Sequence, residues 1–370
     1  MVDYILGDLL TGRRIQSLQA LTGSWSEGVN AAGALSCTVS LKNPVMKRLG
    51  LLNSAIPGKS FLAAVDGDTV LQAGPIWAHD WVEDTGKLSL TAAGMWSYFD
   101  HRVLLPVLAG RLPSDPTTDT NYTAKSLQGV ARGLVAQAQA WTYGDVPVVL
   151  PSEVAGTSDR TYRGADLAPV GDRLRELTGV LNGPEVRFSP RWTSDRLGIE
   201  WVMEIGTPTE PLIYSAQRPV FYVGTEKSSV TKLRVNVNGS KIGSQAFAAG
   251  GRANDQTLVA VATDTTQTAA GFPQLDLVDA AHATVSELGT LQGYADELVM
   301  RSRFPVQTWS FSHKVSDLLG LSSFRAGDFA TVRVLASRYL EVRSYTMRVL
   351  TREGDVRSQT VDLTFGPEVV

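Results

Sequence analysis

Short runs of alternating apolar and polar residues dominate the first third of the chain. The cleanest is Leu35-Ser-Cys-Thr-Val-Ser-Leu41, which puts Leu35, Cys37, Val39 and Leu41 on one side. A period of two sends successive side chains to opposite faces of a pleated ribbon, so this run predicts a half-buried strand. Residues 4–6, 14–18, 24–25, 60–65, 69–81 and 87–93 read as strands too, separated by Gly12, Gly23, Gly28, Gly33, Gly58 and the turn Asp66-Gly67-Asp68. Asp84-Thr85-Gly86 predicts the hairpin turn between the last two, and a short amphipathic piece ending at Arg102 follows. So many short strands predict a barrel or sandwich over about 1–110.

The period then changes. Leu127, Val130, Leu134, Val135, Ala138 and Trp141 recur at steps of three and four, which predicts a helix. A second helix is predicted over 166–178, with Asp166 as N-cap, Pro169 in the first turn and Gly179 past the end. Its apolar face would be Leu167, Val170, Leu174 and Leu177, and its wet side Arg173, Arg175 and Glu176. Between the helices, residues 145–163 hold too many prolines for a helix and read as an extended loop. Residues 184–189 and 197–204 predict a hairpin, with Glu200, Val202 and Glu204 on one face and Trp201 and Met203 on the other.

Strands return from about 216, at 230–238, 257–263, 306–314, 328–335, 339–351 and 359–365. One helix interrupts them, opened by a capping box Thr284-Val-Ser-Glu287 and striped by Val285, Leu288, Leu291, Ala295 and Leu298. The expected fold class is mainly β with an α+β insert: a first β-barrel at 1–110, the insert at 111–215, and a similar second β-barrel with one helix at 216–370. Two β regions of similar size suggest a duplication, although no residue-level repeat is visible between them.

Composition narrows the options. With 370 residues, 43% of them hydrophobic and 19% charged, the chain can bury several cores and does not have the makeup of a disordered protein. Its single cysteine, Cys37, leaves no intrachain disulfide and too few thiolates for the usual structural zinc sites, and its alternating run makes it a buried structural thiol. The N-terminus has no basic region ahead of an apolar stretch, and no run approaches the ~20 apolar residues that span a bilayer. Synthesis in a cytoplasm is the expectation. A net charge of −3 argues against a surface that tracks nucleic acid.

Candidate chemistry is sparse. His79, His101, His282 and His313 stand in separate regions, outside any metal-binding spacing. Asp276, Asp279 and His282 have a helical spacing of three, and an N-terminal helix cap is the plainer reading of them. Glu200 and Glu204 resemble a glycosidase pair only in sharing a face, and solvated strand residues are the plainer reading. The segments Gly23–Gly28 and 224–229 match neither a nucleophile elbow nor a phosphate loop and read as turns. Tryptophans 25, 77, 81, 96, 141, 192, 201 and 309 are scattered as packing residues would be. From Arg301 to Arg357, ten Lys and Arg face five Asp and Glu, which suggests a solvated face or an electrostatic seat for an acidic neighbour. No catalytic, cofactor-binding or metal residue is expected. The rival readings are a cell-wall glycosidase or peptidase using Glu200 with Glu204, or Asp276 and Asp279 with His282, and a carbohydrate-binding module using Trp192 or Trp201.

The stretch from Gly74-Pro-Ile-Trp77 through Asp84-Thr-Gly86 and Leu88-Ser-Leu90 to Arg102 resembles the first barrel of siphophage and myophage tail hub proteins. In that family an early barrel strand ends in a Gly and a small insert, as Ala73-Gly74-Pro-Ile76 would here. Gly271-Phe-Pro-Gln-Leu-Asp276, the turn Gly327-Asp328 inside Arg325–Arg333, and the final Thr360-Val-Asp-Leu-Thr-Phe-Gly-Pro367 are similar to the family's closing parts. The resemblance implies a structural baseplate hub or minor tail protein in the virion: a homotrimer in which each chain supplies two barrels to a six-fold tail tube. It further implies a channel for DNA in transit, and contacts with the tube protein, distal tail protein, other minor tail proteins and tape measure protein. The chain stops after its last strand, so lysis or host binding would fall to other proteins. The two barrels should superpose, with the insert projecting away from the ring.

Overall fold

The computed structural model describes residues 2–180, 182–226, 228–253, 256–282, 285–316, 319–356 and 359–368. The first β region holds β1 (Asp3–Asp8), β2 (Arg14–Leu18), β3 (Ala20–Gly28), β4 (Ala34–Ser40), β5 (Ser60–Asp66), β6 (Thr69–Val82) and β7 (Lys87–Ala93). These are the strands that the alternation predicts. Helical turns α1 (Pro44–Arg48) and α2 (Leu51–Ser54) fill the β4–β5 connection, and α3 (Trp96–Phe99) follows β7. Spatially the strands run β2-β1-β5-β6-β7-β4-β3.

The long strand β6 serves two partners: it pairs with β5 up to Pro75 and with β7 from Ile76, with a bulge between Ile76 and Ala78. At the crossing, a Cβ on Gly74 would overlap the Ala93 carbonyl oxygen, so only glycine lets the two strands approach. The expected strand end at Ala73-Gly74-Pro-Ile76 is therefore a partner switch within one continuous strand. The sheet also rolls. Tyr4 of β1 reaches across to β3, where a Cβ on Gly23 would stand 2.6 Å from the tyrosine ring. Tyr4, Trp25, Leu35, Cys37, Val39, Leu62, Leu88 and Leu90 fill the interior of this roll. Burial pushes the Cys37 thiol up to about 12, as suits an inert packing residue.

The insert contains β8 (Thr120–Lys125), α4 (Leu127–Gln139), β9 (Val148–Val149), β10 (Ser158–Tyr162), α5 (Val170–Thr178), β11 (Val186–Trp192) and β12 (Ile199–Ile205). Ser126 caps α4, its hydroxyl accepting from the Gly129 N–H at 2.9 Å. Helix α5 starts later than predicted. Leu167 takes a left-handed φ of 49° and is exposed, so Asp166 is no N-cap and the first turn begins after Pro169. Arg173 is not on a wet side either: it is 3% exposed and ion-paired with Asp166 and Glu176. The loop at 145–163 contributes two short strands, β9 parallel to β12 and β10 antiparallel to β8.

The insert packs on the outer face of the first roll. Val130, Leu134, Leu174, Trp201 and Met203 share a core with Ile5, Phe61, Ala63 and Ala73. Strand β5 is thus covered on both faces, which is why Phe61 to Val65 form an unbroken apolar run. Trp201 fixes the contact by donating to the Ala73 carbonyl at 2.9 Å, with its ring edge-on to Phe61 at 5.5 Å.

The second β region holds β13 (Val220–Val223), β14 (Val230–Asn238), β15 (Gln245–Ala253), β16 (Gln256–Thr263), β17 (Asp276–His282), β18 (Val306–Lys314), β19 (Phe329–Val334), β20 (Ser344–Asp355) and β21 (Thr360–Glu368). Its helices are α6 (Thr266–Ala269) and α7 (Leu288–Arg301). The strand predicted at 257–263 is not in the barrel. It pairs with β15, which also pairs with β17, and α7 covers this small sheet through Leu291, Tyr294, Ala295 and Val299. Helix α7 opens later than predicted: Glu287 occupies the N-cap position without a side-chain bond and Leu288 is 53% exposed, while Thr284 of the expected capping box lies outside the described residues. The strand predicted from 339 begins at Ser344.

Candidate assembly site

The two β regions share one strand plan. The first runs β1-β5-β6-β7-β4-β3 and the second β13-β19-β20-β21-β18-β14, so strands in corresponding places have corresponding partners. The long strand β20 switches partner midway as β6 does, and the bulge falls at the same place: Ile76 and Ala78 face Ala92 and Thr91, whereas Val349 and Thr351 face Phe365 and Thr364. Phe61 opposite Pro75 matches Phe329 opposite Arg348. Each of these phenylalanines follows a glycine of positive φ, Gly58 at 75° and Gly327 at 97°. One slot differs in direction, since β1 is antiparallel to β5 and β13 parallel to β19.

The halves are joined edge to edge. Strand β3 adds antiparallel to the second half of β20, with Gly28 opposite Thr351, Glu27 opposite Arg352 and Trp25 opposite Gly354, giving a continuous sheet of 13 strands. Gly354 leaves room for the Trp25 indole, which a Cβ would meet at 3.1 Å.

A buried charge cluster pins this seam. Glu27, 4% exposed, accepts from Arg352 at 2.5 Å and from Arg325 at 2.7 Å. Arg352, 1% exposed, also donates to the Leu321 and Phe324 carbonyls at 2.6 and 2.7 Å and lies 5.2 Å over the Trp25 ring. From the insert, Arg187 donates to Glu204 at 2.6 Å and to the Ala326 carbonyl. A second clamp has Arg348 donating to both Glu185 oxygens at 2.5 Å and to the Gly327 and Ile213 carbonyls. Burial pushes the Glu27 carboxyl up, but Arg352, Arg325 and Arg187 together hold it down at about 2. Such a cluster ties the two β regions and the insert together; both Glu27 oxygens already accept bonds and neither is poised for proton transfer.

The residues singled out in the sequence are dispersed. His79 is exposed, its Nδ1 3.1 Å from the Ala55 carbonyl oxygen, and His101 packs on Trp77 with ring centres 4.3 Å apart. His313 is buried beside Phe221, and burial pushes its pKa down. Asp276, Asp279 and His282 lie on a strand and form no helix cap; only the last two meet, at 2.9 Å, while Asp276 bonds Gln274. Among the described residues, no three His, Cys, Asp or Glu side chains converge as metal ligands. Glu200 and Glu204 share a face as predicted, yet each is taken by an arginine, Arg191 at 2.7 Å and Arg187 at 2.6 Å.

Trp25, Trp96, Trp201 and Trp309 are fully buried and the other four half-buried, so Trp201 is no sugar platform. Gly23–Gly28 is strand and not turn, whereas Gly224 does open a turn at φ 85°. The basic run at 301–357 divides: Arg301, Lys314, Arg333 and Arg338 are exposed, as a solvated face would have them, and the rest mostly serve the chain's own ion pairs. Arg303, Arg325, Arg343, Arg348 and Arg352 are all ion-paired within the chain, and Arg357 lies outside the described residues.

The chain matches no protein-family model and no curated protein sequence. Among solved structures, it is similar to the tail protein from Neisseria meningitidis MC58, at 12% identity and a TM-score of 0.57, over 98% of this chain and 96% of that one. It is equally similar to the 43 kDa tail protein of prophage MuSo2 from Shewanella oneidensis, at 12% identity and a TM-score of 0.57, over 99% and 98% of the two chains. The likeness is one of fold, and it spans both β regions and the insert. From end to end, the chain has the fold of phage tail proteins.

Proposed function

We propose that the chain is a structural tail-tip hub in which three copies form a ring of six barrels matching the six-fold end of a tail tube. The observation that carries this reading is the repeated strand plan, with its bulge at the same place, in two barrels joined side by side. A six-fold tube end offers six equivalent edges, and a trimer meets them all only if each chain presents two similar surfaces. In this reading residues 1–110 and 216–370 are the ring units and 111–215 is the part turned away from the tube. DNA passes through the channel, and the neighbours are the tube protein, the distal tail protein, other minor tail proteins and the tape measure protein. No reaction is assigned, because Glu200 and Glu204 are bound to arginines and, among the described residues, no third His, Cys, Asp or Glu side chain joins Asp279 and His282 as a metal site. Native mass measurement of assembled tips tests the stoichiometry: three copies are expected, and a stable monomer under virion-like conditions contradicts the reading.

A further inference from the structure

Strand β14 ends the main sheet, and its outer edge pairs with no strand among the described residues. It corresponds to β3, whose outer edge is the one that joins β20. Likewise the second half of β6, Ala78–Val82, corresponds to the stretch of β20 that receives β3, and it too has one edge without a strand. We infer that the Arg234–Asn238 edge of β14 adds antiparallel to Ala78–Val82 of β6 in a second copy of this chain, repeating between chains the β3–β20 seam found within one. The inference rests on the ring reading and names the edges that close it.

The seam's register sets Val235 opposite Trp81, Asn236 opposite Asp80 and Val237 opposite His79. Large and small residues then trade sides. Within the chain, Trp25 on the joining strand covers Gly354; between chains, Trp81 on the receiving strand faces Val235. The equivalents of the central arginine are alike in their bonding, since Arg352 donates to carbonyls of the connection before β19 and His79 Nδ1 lies against the Ala55 carbonyl before β5. Charge is complementary as well. Strand β14 exposes Lys232 and Arg234, whereas the receiving end exposes Asp80, Glu83 and Asp84. An edge nine residues long with Val237 54% exposed invites strand addition, and a cognate edge of the same protein satisfies it.

Cysteines replacing Asn236 and Asp80 test the pairing, since Cβ atoms of opposed residues stand ~5 Å apart, within disulfide reach. Oxidation of purified chain and of assembled tips carrying both substitutions should give covalent trimers, and mixing the single variants should give covalent dimers alone. Val237→Asp should abolish the trimer while leaving the thermal midpoint of the monomer unchanged. Trimers that do not cross-link, or in which Asn236→Cys links instead to Ser17→Cys on β2, overturn this pairing and leave the three-fold ring standing. Monomers alone, in solution and in tips, overturn both.

Discussion

Glu27 shows how one residue governs the seam. Its carboxyl sits at about 2 in the folded chain against 4.5 when free, so its stabilisation is complete above about pH 4.5 and is lost as pH falls toward 2. Thermal midpoints should drop steeply across that window. Glu27→Gln should flatten the drop and cost about 3 kcal/mol at neutral pH, since Arg352 would be left buried without a carboxylate and Arg325 with only Glu204, 3.8 Å away; an unchanged acid slope would show that other groups dominate. Glycines give predictions of opposite sign. Gly74→Ala should cost about 3 kcal/mol because the Cβ meets the Ala93 carbonyl, while Gly293→Ala in α7, with nothing within 4 Å, should stabilise by about 1 kcal/mol in urea unfolding.

Element by element, the sequence was most readable where one face is wet. Strands β4 and β7 alternate cleanly because only their inner faces are buried. Strand β15, Gln-Ala-Phe-Ala-Ala-Gly-Gly-Arg-Ala, escaped prediction because alanine and glycine carry little strand signal and the helix α7 supplies the bulk above them. The spacing of Asp276, Asp279 and His282 predicts a helix cap where β17 forms, because parallel pairing with β15 overrides a polar local sequence. The seam itself is almost illegible in sequence: Glu27 lies within an apparent turn and Arg352 within a basic run, and only the pairing of adjacent strands β3 and β20, far apart in the chain, explains two charges at buried strand positions. Trp201 was legible as packing but not as the anchor of the insert on β6. Trp201→Ala should cost about 4 kcal/mol, and amide exchange should rise in β5 and β12 together, because one core serves both.

At the scale of the whole molecule, the order of β region, insert and β region is readable in the sequence, and the similar size of the two β regions suggests a repeat that no residue-level pattern shows. The likeness of the two regions lies in strand order and bulge position, where Trp25 corresponds to Val235 and Trp81 to Gly354, so residue identity does not report it. One residue-level likeness remains, a positive-φ glycine shortly before a phenylalanine, Gly58 with Phe61 and Gly327 with Phe329. The small sheet of β15, β16 and β17 has no counterpart in the first half and interrupts the second between β14 and β18. In the ring reading each chain gives two equivalent barrels to one ring. Imaging assembled tips without imposed symmetry tests it most directly: the account predicts three chains and six similar barrels around one channel, with the insert outside. A ring with one barrel per chain at the channel, or with the second barrel turned away from it, would contradict the account.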